Sequence, residues 1–225
     1  MVTVLYLIRH GETEGAEPRR YKGTIDVPLS ENGIRQIERV SDYIVETVKR
    51  GHGETEKLHV SPSPGLPISG SMLTAVYCSH LSRAVKSAEV IAKPYFLEPV
   101  IVPALRERNF GIWEGMSFDE IKEKYPEEFT AWAGNPLEFS PMEGESTMEV
   151  KNRVINAMNE IIQNHNGERI AIVSHGGVIR VILCSILGVP LENIFRFEQD
   201  YAALNIIEFW DTYPVVKLMN GTLHD

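Results

Sequence analysis

Short apolar runs, too brief to be helices, alternate along this chain with stretches of helical period, and that alternation restricts its fold more than any other feature. Residues 2–8 (Val-Thr-Val-Leu-Tyr-Leu-Ile) are β-branched and aromatic and read as a buried strand. Ser30 then precedes a helical pattern of Ile34, Ile37, Val40, Ile44, Val45 and Val48, which makes it the expected N-cap. A strand at Ala75–Cys78, a helix over Ser82–Ala92 and a strand at 100–102 follow. Helical patches within 117–133 are broken at Pro126, and 146–165 is a long amphipathic helix. Its stripe of Met148, Val150, Val154, Ile155, Met158, Ile161 and Ile162 is expected in the core. The strand Arg169–Ser174 runs into an apolar helix reaching Leu187, and two alternating segments, 203–210 and 214–219, close the chain as an antiparallel pair. Strands alternating with helices predict an α/β fold: a three-layer α/β/α arrangement with a mostly parallel central sheet. No compositional break divides it, so one domain is expected over 1–225. Residues 51–72, rich in Gly, Pro, Ser and His, are expected to form a loop insertion.

Composition narrows the chemistry. The net charge of −9 leaves no basic footprint for nucleic acid, so an anionic substrate must be met by a local cluster of Arg or Lys. The two cysteines, Cys78 and Cys184, lie in apolar stretches and are expected as buried free thiols in a reducing, cytoplasmic setting. No apolar run is long enough to span a membrane, and none is expected as a partner.

In parallel sheets the site lies at the carboxyl ends of the strands. Three strands here end in chemically able residues: Arg9-His10-Gly11, Ser79-His80 and Ser174-His175-Gly176. A neutral imidazole at His10 can attack phosphorus with one nitrogen if the other gives its proton to a fixed acceptor, and the neighbouring guanidinium neutralises phosphoryl oxygens. Arg83, with the helix start near Ser82, is a second anion candidate, and His175 beside a helix start is a third. An acid is needed for a leaving group, and spacing leaves Glu12, Glu107, Glu114 and Glu143 all open. Neither a metal-binding spacing such as His-Glu-x-x-His nor a Gly-rich nucleotide loop occurs. The pentapeptide His-Gly-Glu-Thr-Glu occurs at 10–14 and again at 52–56; only the first copy follows a strand, and the second is expected to be catalytically silent.

These blocks resemble the histidine phosphatase (phosphoglycerate mutase-like) superfamily. Leu7-Ile8-Arg9-His10-Gly11-Glu12-Thr13 is similar to its hallmark. Arg20-Tyr21-Lys22-Gly23, Asp26–Ser30, Cys78–Ala84, Leu105–Gly115, Glu143–Ser146 and Val173–Gly177 follow in family order. The resemblance implies a phosphohistidine formed on His10. It implies that Arg9, Arg83 and His175 bind the phosphoryl group, that Arg20, Lys22 and Gly23 lie on the substrate side, and that Glu107 is the general acid and later the base. It implies no metal and no cofactor, and a small phosphorylated metabolite as partner; a homo-oligomer is compatible with it. The expected activity is metal-independent phosphomonoester hydrolysis. The Glu107 loop is most similar to that of α-ribazole phosphatases, and broad-specificity phosphatases share it almost as well. A phosphoglycerate mutase is the alternative, and a non-catalytic phosphate-binding module a remoter one. The chain departs from the family at Gly15-Ala16, where a Trp-Asn pair is usual and the Asn helps hold phosphate; Arg20 or Lys22 is the expected substitute.

Overall fold

The computed structural model describes residues 1–16, 20–50, 72–211 and 213–223, with the backbone alone at 49 and 50. The repeat at 52–56 and nearly all of the 51–72 segment therefore lie outside the described residues. Six strands form one sheet: β1 (Thr3–Arg9), β2 (Ala75–Cys78), β3 (Val100–Ile101), β4 (Arg169–Ser174), β5 (Leu204–Phe209) and β6 (Pro214–Gly221). The spatial order is β3-β2-β4-β1-β5-β6. The β3–β2, β2–β4 and β4–β1 pairings are parallel, whereas β5 lies antiparallel to both β1 and β6. The expected mostly parallel sheet with a closing antiparallel pair is what forms.

Helices α1 (Glu31–Arg50), α2 (Ser82–Ala92), α3 (Phe118–Lys124), α4 (Pro126–Gly134), α5 (Thr147–Gln163) and α6 (Gly176–Leu187) complete the fold among the described residues. Strand β1 shows why there are three layers. Its Val4, Tyr6 and Ile8 pack with Ile37, Val40 and Ile44 of α1 and Ala84, Ala88 and Ile91 of α2. Its Leu5 and Leu7 point the other way, against Val150, Val154 and Met158 of α5 and Val178, Ile179 and Ile182 of α6. A strand covered on both faces cannot alternate apolar with polar, which is why it reads as a continuous apolar run. Burying each such Leu or Ile contributes roughly 1.5–3 kcal/mol. The two cysteines are buried and unbridged, so no disulfide ties the layers together.

The helix starts follow local chemistry. Ser30 caps α1 by accepting the Gly33 N–H at 3.0 Å. Ser117 and Ser146 form capping boxes with Glu120 and Glu149 at α3 and α5. Pro126 opens α4 at its first position, where a missing N–H costs nothing. No helix among the described residues is long and apolar enough to cross a membrane.

Candidate active site

Because β1 and β4 are parallel neighbours with Arg9 in register with Ser174, the residues just beyond them, His10 and His175, emerge side by side. Their ring centroids are 5.1 Å apart, edge to face. The His10 backbone N–H donates to Ser174 O at 3.0 Å, and its carbonyl accepts from the Ala202 N–H at 3.1 Å, so the backbone at this point is held from both sides. Gly11 is required next: a Cβ there would lie 2.3 Å from the carbonyl oxygen of Gly33 at the start of α1. That tight contact leaves the Gly11 carbonyl 2.7 Å from His10 Nδ1. A carbonyl only accepts, so the proton sits on Nδ1 and the Nε2 lone pair is free. Burial, followed by the Arg9 and Arg83 charges, holds the His10 pKa well below the ordinary histidine range. In a ¹H–¹⁵N histidine spectrum the Nδ1-protonated neutral tautomer of His10 is expected to persist below pH 6. A midpoint near 6.5 would contradict the lowered pKa, and a neutral ring protonated at Nε2 would contradict the fixed tautomer.

His175 is fully buried, with Nε2 2.7 Å from Ser79 Oγ and Nδ1 unpartnered. Burial, with His10 and the two arginines nearby, keeps it neutral as well. Arg9 donates from Nη1 to Gln199 O at 2.5 Å, and its Cζ lies 4.0 Å from the centre of the Tyr201 ring. Its Nε is buried without a partner. Arg83 is 2% exposed and is aimed by two carbonyls, Ile25 O at 2.8 Å and Gly23 O at 2.7 Å. Gly23 thus serves Arg83; with φ +48° and Glu114 Oε1 only 2.3 Å from where a Cβ would stand, no other residue fits there. Among the described residues neither Arg9 nor Arg83 is ion-paired with a carboxylate. Two buried guanidiniums without counter-ions make a site that an anion completes.

Lys22 reaches Thr13 Oγ1 (2.8 Å) and Glu14 O (2.7 Å), also without a carboxylate. Arg20 lines the same cavity, but its charge is taken by Glu120 in a two-pronged pair (2.6 and 3.1 Å). Of the two substitutes expected for the missing Asn, Lys22 is therefore the unpaired cation. At the start of α2 the first N–H is taken, because Asp26 Oδ1 accepts from Ser82 N (2.8 Å) and Ser82 Oγ (2.7 Å). Arg83 stands at this helix start, but the helix end itself is capped by a carboxylate.

The four open carboxylates separate in space. Glu114 is spent on Thr24 and the Phe110 N–H, and Glu143 is exposed at φ +61°. Glu12 and Glu107 both line the cavity, Glu12 with its oxygens engaged by Ser30 (2.7 Å) and Asn32 (3.1 Å). Among the described residues Glu107 accepts only from backbone N–H groups, those of Arg108 (2.9 Å) and of Gly177 (3.1 Å) at the first turn of α6. Gly177 permits this, since a Cβ there would lie 2.6 Å from Glu107 Oε1.

A brace unseen from sequence holds the Glu107 loop. Glu145 accepts from both Nη of Arg106 (2.5 and 2.7 Å), from Arg153 (3.0 Å twice) and from the Asn109 N–H (3.0 Å). Arg153 in turn donates to the carbonyls of Ala104, Arg106 and Glu107. Burial would raise the Glu145 pKa, but these donors outweigh it and pull the value down to about 2. A depressed carboxyl pKa contributes stability above its unfolded value, near 4.3, and loses it as pH falls towards 2. Glu145→Gln should therefore cost about 3 kcal/mol at pH 7, the scale for breaking a half-buried pair, and lower kcat. The gap from wild type should close below pH 4 in denaturant melts; a pH-independent gap would mean the ionised form is not what matters.

Arg9, His10, Lys22, Arg83 and Glu107 line one cavity of about 640 Å³. Among the described residues no three His, Cys, Asp or Glu side chains are grouped as a metal would require. The profile of the histidine phosphatase superfamily (branch 1) matches residues 5–51 and 67–222. The chain belongs to that superfamily. Phosphoserine phosphatase 1 of Hydrogenobacter thermophilus is 30% identical over 98% of this chain and 93% of its own. The adenosylcobalamin/α-ribazole phosphatase of Escherichia coli is 26% identical over 96% and 95%. Among solved structures, Bacillus stearothermophilus YhfR superposes with a TM-score of 0.79 at 28% identity, covering 98% of each chain. As a histidine phosphatase this protein is an enzyme, and the break in the profile match falls inside the 51–72 segment.

Proposed function

We propose that this protein is a metal-independent phosphomonoesterase that works through a phosphohistidine at His10, as a single catalytic domain over 1–225. The observation that carries the reading is the pairing of His10 Nδ1 with the Gly11 carbonyl beside two guanidiniums that have no carboxylate partner. In this reading Nε2 attacks phosphorus while Arg9, Arg83 and the unpartnered Nδ1 of His175 take the charge on the equatorial oxygens. Lys22 adds a third cation. Phosphoryl transfer asks chiefly for such positioning and charge neutralisation. Glu107 in its acid form gives its proton to the departing alcohol oxygen. As a carboxylate it then takes a proton from the water that hydrolyses the phosphohistidine, releasing phosphate and neutral His10. The substrate is a small phosphorylated metabolite. The resemblance of the Glu107 loop and the E. coli relative support α-ribazole 5′-phosphate as the first candidate.

A phosphorus NMR time course with EDTA tests this, with α-ribazole 5′-phosphate and 3-phosphoglycerate in separate tubes. Full activity should survive the chelator, and free phosphate should appear from the first compound. Loss of activity restored only by added metal would overturn the metal-free mechanism. Interconversion of phosphoglycerates without release of phosphate would make the enzyme a mutase.

A further inference from the structure

The outer half of the cavity carries information about the leaving group. Six cationic side chains line the cavity: Arg9, Arg20, Lys22, Arg83, Arg108 and Arg180. In the hydrolase reading Arg9, Lys22 and Arg83 meet the phosphoryl group. Two of the other three are ion-paired. Arg20 pairs with Glu120, and Arg180 donates to Glu198 Oε2 at 2.9 Å and to Phe197 O at 3.1 Å. Arg108 has no carboxylate partner among the described residues, and three of its five donors go to Glu145 O (2.7 Å), Thr147 Oγ1 (3.1 Å) and Phe139 O (3.2 Å). A carboxylate on the leaving group, as in phosphoserine or a phosphoglycerate, would lose water here and meet, among the described residues, two arginines already ion-paired and a third, Arg108, aimed at neutral protein oxygens. Uncompensated burial of a charge is costly.

What the outer cavity does offer is apolar. Phe118, at the start of α3, is 46% exposed, and Phe195, in the turn after α6, is 73% exposed. Both line the cavity together with Phe110, Val181 and Ile194. Phe118 is steadied edge-on against Phe129 (5.1 Å between centroids) and Trp132 (6.2 Å), so its ring is held in place although solvent reaches it. Exposed rings that line a concave site, one of them fixed, are contact surface awaiting an occupant.

We infer that Phe118 and Phe195 are specificity-determining residues that select a phosphomonoester of an uncharged alcohol with an aromatic body, and that the ion-paired Arg20 and Arg180, with Arg108 aimed at neutral protein oxygens, disfavour carboxylate-bearing alcohols. The inference rests on the hydrolase reading above and adds to it which leaving groups are accepted. It also sets this chain apart from the phosphoserine phosphatase to which it is similar.

The test compares kcat/KM on benzyl phosphate, ethyl phosphate, phosphoserine and 3-phosphoglycerate, all esters of primary alcohols, with EDTA present. Wild type is expected to favour benzyl phosphate over phosphoserine by about tenfold or more. The double variant Phe118→Ala/Phe195→Ala should bring that ratio towards unity through a raised KM for benzyl phosphate. Circular dichroism and the rate on ethyl phosphate report whether the variant is folded. Glu198→Gln, which frees Arg180, should raise kcat/KM on 3-phosphoglycerate several-fold. Phosphoserine hydrolysed as well as benzyl phosphate would overturn the inference and leave the hydrolase intact. So would a benzyl preference unmoved by the double variant, or no gain from Glu198→Gln. If none of the four esters is hydrolysed and no phosphohistidine forms, the hydrolase reading itself fails and takes the inference with it.

Discussion

His10→Ala is expected to reduce kcat by about 10⁴-fold or more, the scale seen when a covalent nucleophile is removed from an otherwise complete site. The substitution takes away the only Nε2 lone pair that the Gly11 carbonyl fixes in place, and His175 is no substitute. The His175 Nε2 is engaged with Ser79 Oγ at 2.7 Å. The cationic cradle stays, because Arg9 is held by Gln199 and Tyr201, and Arg83 by Ile25 and Gly23, none of them through His10. Inorganic phosphate should therefore still bind to the variant, and the fold should persist. Rapid acid-free quench of wild type with a radiolabelled substrate should give a phosphoprotein that is stable to base and labile to acid; His10→Ala should give none. A variant that kept a few per cent of wild-type kcat, or that still carried the label, would move the nucleophile elsewhere.

The parts of this site that were readable beforehand are those that a strand delivers. Arg9-His10-Gly11 and Ser174-His175-Gly176 follow runs of Val, Ile, Leu and Tyr whose apolar continuity marks central strands, and the polar switch after each run marks its carboxyl end. Parallel pairing of β1 with β4 then brings the two histidines together at no further cost in sequence signal. Residues that act through long-range bonds to backbone leave no such trace. Nothing in Gly23 or Ile25 announces that their carbonyls will aim Arg83 across 60 and 58 residues. Glu145 lay inside a block similar to the family's, yet its job of tying Arg106, Arg153 and the Asn109 N–H around the Glu107 loop depends on contacts 36 and 39 residues apart. Asp26 is silent in the same way, since it accepts from the Ser82 N–H across 56 residues. Gln199 and Tyr201 sit in an irregular turn without period, and only the position of Arg9 against them shows their part. Local propensity and strand order are written in neighbouring residues; side-chain-to-carbonyl clamps are written only in the packed chain.

Glu107→Gln should separate substrates by their leaving groups. The substitution keeps the size of the side chain and one acceptor oxygen, so one of the two N–H contacts, to Arg108 or to Gly177, survives and the loop brace of Glu145 and Arg153 is untouched. What disappears is the transferable proton. An alkyl alcohol departs as a very poor anion unless protonated, so kcat/KM on an alkyl phosphate should fall by about 10²–10⁴-fold, the usual contribution of a positioned acid. A nitrophenolate departs readily without help, so kcat/KM on p-nitrophenyl phosphate should fall far less. This ratio is the right quantity because it reports only the steps up to leaving-group departure and is blind to hydrolysis of the phosphohistidine. The second step shows itself separately. If the Glu107 carboxylate also activates water, the variant should release one equivalent of nitrophenol in a burst and then turn over slowly, since phosphorylation outruns dephosphorylation. Equal losses on both esters would strip Glu107 of its acid role and leave Glu12, Glu198 and Asp200, the other carboxylates that line the cavity among the described residues, to be tested in the same way. A selective loss on alkyl esters without a burst would keep the acid but assign the activation of water to another group.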